Sequence, residues 1–209
     1  GRLREVIGKD FDEGGYFEVL EKAYAAGYQH VKLYFMTGLP TEEEADLDAI
    51  IGLINRTSEA RKKISGHPAW VNVSINTLIP KPHTSFQWCG MGGLEEMREK
   101  QRYLKSRIKN KRVKFNFHNP EMSFMEAVFS RGDRRLGKVI RAAFAKGARF
   151  DGWENHFNFS LWQEAFREAQ VDPEFYLRGK SSAELLPWDF LDSAVQREIL
   201  LKDYNKIIA

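Results

Sequence analysis

Cysteine is almost absent from this sequence, since Cys89 is the single one among 209 residues. One thiol cannot close an internal disulfide, and it cannot alone supply a multi-thiolate metal or iron–sulfur site. Apolar runs of the ~20 residues that span a bilayer are lacking as well, and so is a secretion signal. We therefore expect a cytoplasmic protein with no contact to membranes and no metal site of its own.

An excess of charge of one sign is also missing. The chain has 32 basic and 29 acidic residues, which gives a formal net charge of +3. No strong overall field therefore draws it to nucleic acid or to a membrane. The sequence opens with Gly-Arg-Leu-Arg instead of methionine, and we expect it to be a piece of a longer protein.

Short apolar segments alternate with longer amphipathic ones in the first part of the chain. Strands are predicted at His30–Met36, Trp70–Ile79 and 112–118. Helices are predicted at Glu42–Lys63 and Leu94–Ile108. Thr41 is the predicted N-cap of the first of these helices, with Glu44 completing a capping box. This order predicts an α/β fold of consecutive β/α units with a parallel sheet, whose first strand lies at an edge open to self-association.

The character of the sequence changes near residue 119. Helices and aromatic-rich loops are predicted from there to the end, at Met122–Ser130, Arg134–Lys146, Ser160–Ala169 and Ala194–Asn205. Aromatic residues are dense between Phe150 and Phe166, and we expect them to pack in a core rather than to stack on bases. Two domains are therefore predicted, residues 1–118 and a mainly helical extension of residues 119–209.

Ligands of parallel α/β sheets bind beyond the carboxyl ends of the strands. That rule selects three loops, at residues 36–42, 76–88 and 117–121. His83 and His118 both lie at predicted strand ends, where a proton donor could act. The histidines show no metal-ligand spacing, and plain β/α turns remain the alternative explanation of all three loops.

Four stretches carry a resemblance to a known family. They are LYFMTGLPTEEEADLDAI, VNVSINTLIPKPHTSFQW, EMSFMEAVFSRGDRRLGKVI and ARFDGW. In this order they resemble the radical S-adenosylmethionine enzymes, in particular a subfamily often fused to a cobalamin-binding-type domain. The resemblance implies the C-terminal half of a partial TIM-like β/α barrel, followed by the C-terminal extension of that subfamily.

The resemblance also implies cofactors that this chain cannot hold alone. The family binds a [4Fe–4S] cluster through a Cys-x3-Cys-x2-Cys loop, which is not present here. The intact parent is expected to use the cluster and S-adenosylmethionine, with cobalamin possible, to modify an unknown substrate by radical chemistry. The chain itself is expected to be inactive and to pair with the missing N-terminal half of the barrel.

Individual residues can be carried over from the family motifs. The residues expected to bind the cofactor, near the adenine, are Met36, Thr37, Gly38 and Glu42. For Glu42 a simple charge at the helix start is an equal alternative. The residues expected on the substrate side are Asn76, Thr77, Pro80, His83, Thr84, Gln87 and His118.

A function of another class remains open, namely a non-catalytic binding module for RNA or a protein partner. Two basic runs motivate it: Lys105, Arg107, Lys109, Lys111, Arg112 and Lys114, and then Arg131, Arg134, Arg135 and Lys138. If the runs share a face they could contact phosphates, although a solvated surface is the default. Arg131-Gly-Asp133 is predicted to join two helices, with Asp133 as the N-cap of the second.

Overall fold

The computed structural model describes residues 2–9 and 11–209. The helices are α1 (Arg2–Val6), α2 (Glu13–Ala25), α3 (Glu44–Ser65), α4 (Leu94–Arg107), α5 (Pro120–Ser130), α6 (Leu136–Ala145), α7 (Phe159–Ala169), α8 (Glu174–Leu177) and α9 (Arg197–Ile208). The strands are β1 (His30–Thr37), β2 (Trp70–Thr77) and β3 (Val113–Phe117). The chain divides into unit 1, residues 1–78 and 98–118, and unit 2, residues 79–97 and 119–209.

The three strands of unit 1 form one parallel sheet in the order β1-β2-β3. His30 lies opposite Trp70 at one end of the first pair, and Thr37 lies opposite Thr77 at the other. The predicted mixed α/β fold with parallel strands is confirmed. Alternating β-branched and aromatic residues, bounded by turn signals, produce these strands.

The two faces of this sheet differ in burial. One face is apolar and packs against α3 and α4, with Val71, Val73 and Ile75 of β2 at its centre. Leu47, Ile51 and Ile54 of α3 and Leu104 of α4 complete the same cluster. The opposite face, here named the open face, is mostly exposed, although Ser74 at its centre is buried. Its exposed residues are His30, Lys32, Tyr34, Met36, Trp70, Asn72, Asn76, Lys114 and Asn116. Both crossover helices therefore cover the same side of the sheet.

The start of α3 differs from the prediction. Its N-cap is Glu43, in a reciprocal capping box with Asp46, and the Glu43 N–H donates to Asp46 Oδ2 at 2.9 Å. Thr41 has a φ of 60° and lies two residues before this cap. The prediction of Thr41 with Glu44 was therefore wrong, because Glu43 and Asp46 satisfy the same orphan backbone donors two residues later.

Unit 2 is mainly helical and has two apolar clusters. The larger one joins α5, α6, α7 and α8, with Phe124, Val128, Val139 and Phe166 among its buried members. The smaller one consists of Trp88, Leu186, Trp188 and Leu200. None of the helices in residues 2–9 and 11–209 combines the length and the apolarity required of a transmembrane span.

The aromatic stretch of unit 2 is only partly buried. Trp162 and Phe166 of α7 lie in the core as predicted, with 7% and 3% of their surface exposed. Phe150 and Trp153 are instead 73% and 70% exposed, so the prediction of a core position was wrong for these two. They lie in a turn before α7, where Trp153 N–H donates to the Phe150 carbonyl, and no helix face directs them inward.

Candidate functional site

The hydrogen-bond ladder between β1 and β2 continues past the carboxyl end of β1. Leu78 N–H donates to the Thr37 carbonyl at 2.8 Å, and Thr37 is only 5% exposed. Met36 belongs to the open face and is 43% exposed. Of these two predicted cofactor-binding residues, Met36 alone presents an accessible side chain.

Gly38 lies in a turn whose backbone conformation favours glycine. Its φ of 81° lies in the left-handed region, and a Cβ there would lie 3.3 Å from Thr77 Cγ2. Its N–H donates to Glu42 Oε2 at 2.9 Å. A larger residue would strain this turn whether or not a ligand approaches it.

Glu42 is enclosed by its own chain. Its side chain is 2% exposed, and Oε1 lies 2.9 Å from Lys100 Nζ, an ionic contact without hydrogen-bond geometry. The carboxylate thus joins the Gly38 turn to α4 of unit 1. Glu42 lies one residue before the N-cap Glu43, beside the positive end of α3, so its alternative role as a charge at the helix start stays a prediction.

The carboxyl edge of the sheet also carries Asn76, Thr77 and His118. Asn76 is exposed on the open face opposite Met36, and Thr77 is half-buried. His118 is exposed; its N–H donates to the Ile75 carbonyl at 3.2 Å, and its carbonyl accepts from Gln101 Nε2 at 3.1 Å. Unit 1 therefore brings Met36, Asn76 and His118 to one end of its strands.

The other predicted substrate-side residues belong to unit 2, where they form a compact turn. Thr84 Oγ1 donates to the Lys81 carbonyl at 2.8 Å, and Pro80 is fully buried. Gln87 is 3% exposed, and its Oε1 accepts from Trp188 Nε1 at 2.7 Å and from His83 N–H at 3.2 Å. Thr84 and Gln87 therefore use their polar groups to hold this turn.

His83 differs from its neighbours in this turn. Its φ is 55°, and its Nε2 is buried with no hydrogen-bond partner in the described part of the chain. It lines a cavity of about 590 Å³ in unit 2 with Gln87. The other lining residues are Ala183, Glu184, Leu185, Asp189, Phe190, Leu191, Asp192, Ser193, Val195, Arg197 and Leu200.

Arg131 is a residue whose role the sequence did not reveal. Its guanidinium is fully buried and donates to four backbone carbonyls, those of Tyr176 at 2.8 Å, Arg178 at 2.9 Å, Pro80 at 3.2 Å and Gln87 at 3.5 Å. Burial lowers the pKa of Arg131 to about 10, so the group stays charged at neutral pH. Arg131 therefore organises unit 2, and its prediction as part of a basic surface was wrong.

The rest of the second basic run is also divided. Arg135 forms an ion pair with Asp133 at 2.6 Å, which lowers the pKa of that carboxyl. Asp133 accepts from Arg135 N–H, but the N-cap of α6 is Arg135, so the predicted cap was wrong by two residues. The first basic run lies in unit 1 and the second in unit 2.

Two segments of unit 2 meet through their backbones beside Arg131. Met91 N–H donates to the Leu177 carbonyl, and Lys180 N–H donates to the Trp88 carbonyl, both at 2.9 Å. A Cβ on Gly90 would lie 3.0 Å from Gly179 N. The close approach of the two chains explains the glycine at position 90.

Within residues 2–9 and 11–209, no group of three or more His, Cys, Asp or Glu side chains is placed to hold a metal ion. Cys89 is buried, and burial raises the pKa of its thiol to about 11. The residues of this chain therefore do not fit the ligand set of an iron–sulfur cluster.

Comparison with known proteins finds a similar archaeal sequence but does not identify a family. The chain is 34% identical over 143 residues to an uncharacterised protein of Methanocaldococcus jannaschii. The match covers 66% of this chain and 29% of that relative, so the chain spans less than a third of the relative's length. No protein-family model matches the sequence. No solved structure matches it.

Proposed function

We propose that this chain is the C-terminal arc of a radical S-adenosylmethionine barrel together with its extension. The intact parent would cleave S-adenosylmethionine reductively and modify a substrate by radical chemistry. The observation that carries the proposal is the unit β1-α3-β2-α4-β3, whose strands are parallel and sequential and whose two helices share one face. A β/α barrel keeps all its helices outside in this way, as does each half of a doubly wound sheet, so the composition of the other face must distinguish the two folds.

The composition of the open face supports this proposal. Lys32, Asn72 and Lys114 form one row across the three strands. Met36 and Asn76 form another row nearer the carboxyl ends. In a barrel this face would line the interior, and its polar side chains favour a cavity that holds a ligand over a tightly packed aliphatic core.

The edge of β1 fits the same proposal. Within the described residues β1 has a single strand neighbour, β2. The N-terminal half of the barrel would supply the next strand along this edge. The length of the relative is compatible with such a half, because 71% of it lies outside the matched region.

The candidate cofactor residues have definite tasks within this proposal. The contact of Glu42 with Lys100 and Gly38 fixes the turn after β1, and Met36 offers an exposed thioether side chain beside it. Met36 would pack against the flat adenine, and the Gly38 turn would hold the loop at the distance from the adenine that this contact needs. The cluster ligands would belong to the part of the parent outside this chain, where the cluster supplies the electron for cleavage.

The test uses the longest reading frame that contains this sequence. After anaerobic reconstitution with iron, sulfide and reductant, we expect about four irons per chain and formation of 5′-deoxyadenosine from S-adenosylmethionine. Asn72→Leu and Lys114→Met on the open face should lower the yield of 5′-deoxyadenosine, whereas Lys63→Met on the solvent side of α3 should not. A frame without Cys-x3-Cys-x2-Cys, or no 5′-deoxyadenosine, would overturn the proposal.

A further inference from the structure

Unit 2 carries a group of exposed aromatic rings among basic residues. We name it the aromatic–basic surface; it consists of Lys138, Arg141, Phe144, Arg149, Phe150 and Trp153. Phe144, Phe150 and Trp153 are 59%, 73% and 70% exposed. Three large rings exposed within ten residues are unusual for a soluble surface and indicate an interaction site.

The charges around these rings are mainly positive. Between residues 133 and 154 there are six basic residues and three acidic residues, Asp133, Asp151 and Glu154. Arg135 pairs with Asp133, and Lys146 pairs with Glu164 and Glu168 of α7. Lys138 and Arg141 are exposed and make no ion pair with any residue that the structure describes. Their charges are therefore available to an anionic partner.

Helical spacing places these groups on one side of α6. Lys138, Arg141 and Phe144 follow at intervals of three residues, so that neighbouring side chains lie above one another. Leu136, Val139 and Ala143 form the buried side of the same helix. The apolar side of α6 is thus already occupied by the core, and its cationic side faces solvent.

Arg149 and Phe144 form a fixed stacking pair at the end of α6. The guanidinium lies 3.5 Å from the centroid of the Phe144 ring, and Nη1 donates to the carbonyls of Phe144 at 2.8 Å and Ala148 at 2.6 Å. The Phe144 carbonyl belongs to the last turn of α6, whose negative end favours a cation there. The pair presents a flat, positively charged surface.

Phe150 follows directly, with a φ of 59° that is unfavourable for an aromatic residue. Its carbonyl accepts from Trp153 N–H at 2.9 Å, which closes the turn. The turn leaves both rings exposed, and the Phe150 ring lies 6.0 Å from the ring of His156.

We propose that the aromatic–basic surface binds single-stranded nucleic acid. The exposed rings would stack on bases, and Lys138, Arg141 and Arg149 would contact phosphates, which is the pairing of groups that such binding uses. An acidic peptide would need the cations but not the flat rings, and a lipid surface would need a broader aliphatic face than Ile140, the one large aliphatic side chain that α6 exposes, provides. The proposal is independent of the radical chemistry above, because it needs neither cluster nor S-adenosylmethionine.

The test is fluorescence anisotropy of a labelled oligoadenylate RNA of ~12 nucleotides, within the site sizes of ~4–16 known for single-strand binding, titrated with the 209-residue chain. Phe150→Ala and Trp153→Ala should each weaken binding about tenfold. Arg141→Ala should reduce the slope of log affinity against log salt by about 0.7. Phe190→Ala and Lys202→Ala, which remove an exposed ring and an exposed cation elsewhere in unit 2, should change neither quantity.

Thermal unfolding of every variant checks that unit 2 remains folded, as expected for exposed positions. A duplex of the same length should bind more weakly, because its bases cannot reach the rings. No binding at low salt, equal binding of the duplex, or equal loss in the Phe190 and Lys202 variants would overturn the proposal. Tighter binding to phosphatidylserine vesicles, or full competition by polyglutamate, would overturn it in favour of a lipid or an acidic partner.

Discussion

Unit 1 and unit 2 are stabilised by different kinds of contact. In unit 1 the sheet buries aliphatic residues of all three strands against α3 and α4. In unit 2 helices surround an apolar cluster, but the connecting segments converge on one guanidinium, that of Arg131. Stability in unit 1 is therefore spread over many small contributions, whereas the loops of unit 2 depend on a single polar group.

This difference teaches where each unit is sensitive to substitution. Burial of apolar side chains adds up gradually, at about 1.5–3 kcal/mol for each large residue. A single substitution of a buried cation that donates to four carbonyls removes all four hydrogen bonds at once, because each carbonyl loses its donor. The following predictions test this contrast, in order of decreasing effect.

Substitution of Arg131 by Met should have the largest effect. We expect the free energy of unfolding to fall by about 4 kcal/mol, because the carbonyls of Pro80, Gln87 and Tyr176 lose their donor in buried contacts. Urea denaturation followed by tryptophan fluorescence measures this. The matched control is Arg134→Met, an exposed neighbour, which should stay within about 0.5 kcal/mol of the native chain. A loss below about 1 kcal/mol for Arg131→Met would contradict the contrast between the units.

Unit 1 also has a buried polar side chain, Glu42, which contacts Lys100 and Gly38. Glu42→Met should cost about 3 kcal/mol, since it removes the buried carboxylate beside Lys100 and leaves Gly38 N–H without its acceptor. Glu42→Gln keeps an acceptor for Gly38 and should cost roughly half as much. The double variant Glu42→Met with Lys100→Met should recover part of the loss, and strict additivity in this cycle would show that the two side chains do not interact.

The backbone crossing of unit 2 gives a pair of matched substitutions. Gly90→Ala should cost about 1–2 kcal/mol, because its Cβ would lie 3.0 Å from the backbone nitrogen of Gly179. Gly179→Ala should be nearly neutral, since the nearest atom would lie at an ordinary 3.6 Å. Chemical denaturation compares the two, and equal costs would mean that the crossing is not tightly packed.

The smallest effect is the pH dependence linked to Cys89. Burial raises the pKa of this thiol to about 11, while the neighbouring Arg131 cation partly opposes the shift. The thiol therefore contributes stability that is present below its ordinary pKa of about 8.5 and is lost as pH rises toward 11. The contribution should shrink by about 1 kcal/mol between pH ~7 and pH ~9.

The measurement for Cys89 is the difference in unfolding free energy between the native chain and Cys89→Ala across this pH range. Lys180 and Tyr204 are present in both chains, so their own titration cancels when the two unfolding free energies are subtracted. A difference that stays constant with pH would mean that the thiol is not protected by burial. Reaction of the native chain with a thiol reagent should likewise be slow at pH ~8.

Much of unit 1 could be predicted from sequence, because its elements repeat a local pattern. The alternation of Val71, Val73 and Ile75 with polar residues fixed β2 and its buried face before any contact was known. The start of α3 could not be decided in this way. Two overlapping capping signals, Thr41 with Glu44 and Glu43 with Asp46, compete there, and the long-range contact of Glu42 with Lys100 lies outside any local pattern.

Less of the candidate site and of unit 2 was predictable. Loop positions such as Met36, Asn76 and His83 followed from the rule on strand ends, but their partners did not. Arg131 binds carbonyls 44 to 51 residues away, and nothing in its neighbourhood distinguished it from the exposed Arg134. Composition likewise predicted a core position for Phe150 and Trp153, because a count of aromatic residues carries no information on which ones a turn directs outward.

The bond between Gln87 and Trp188 joins residues 101 positions apart, and Arg131 and Gly90 likewise need partners beyond residue 175. During synthesis, the turn at Pro80–Gln87 therefore emerges from the ribosome long before the residues that complete it. Because distant pairings slow folding and nascent chains grow at about 5–20 residues per second, this turn stays incomplete for seconds. During that interval the incomplete unit 2 would be accessible to a chaperone or to a segment that has already folded.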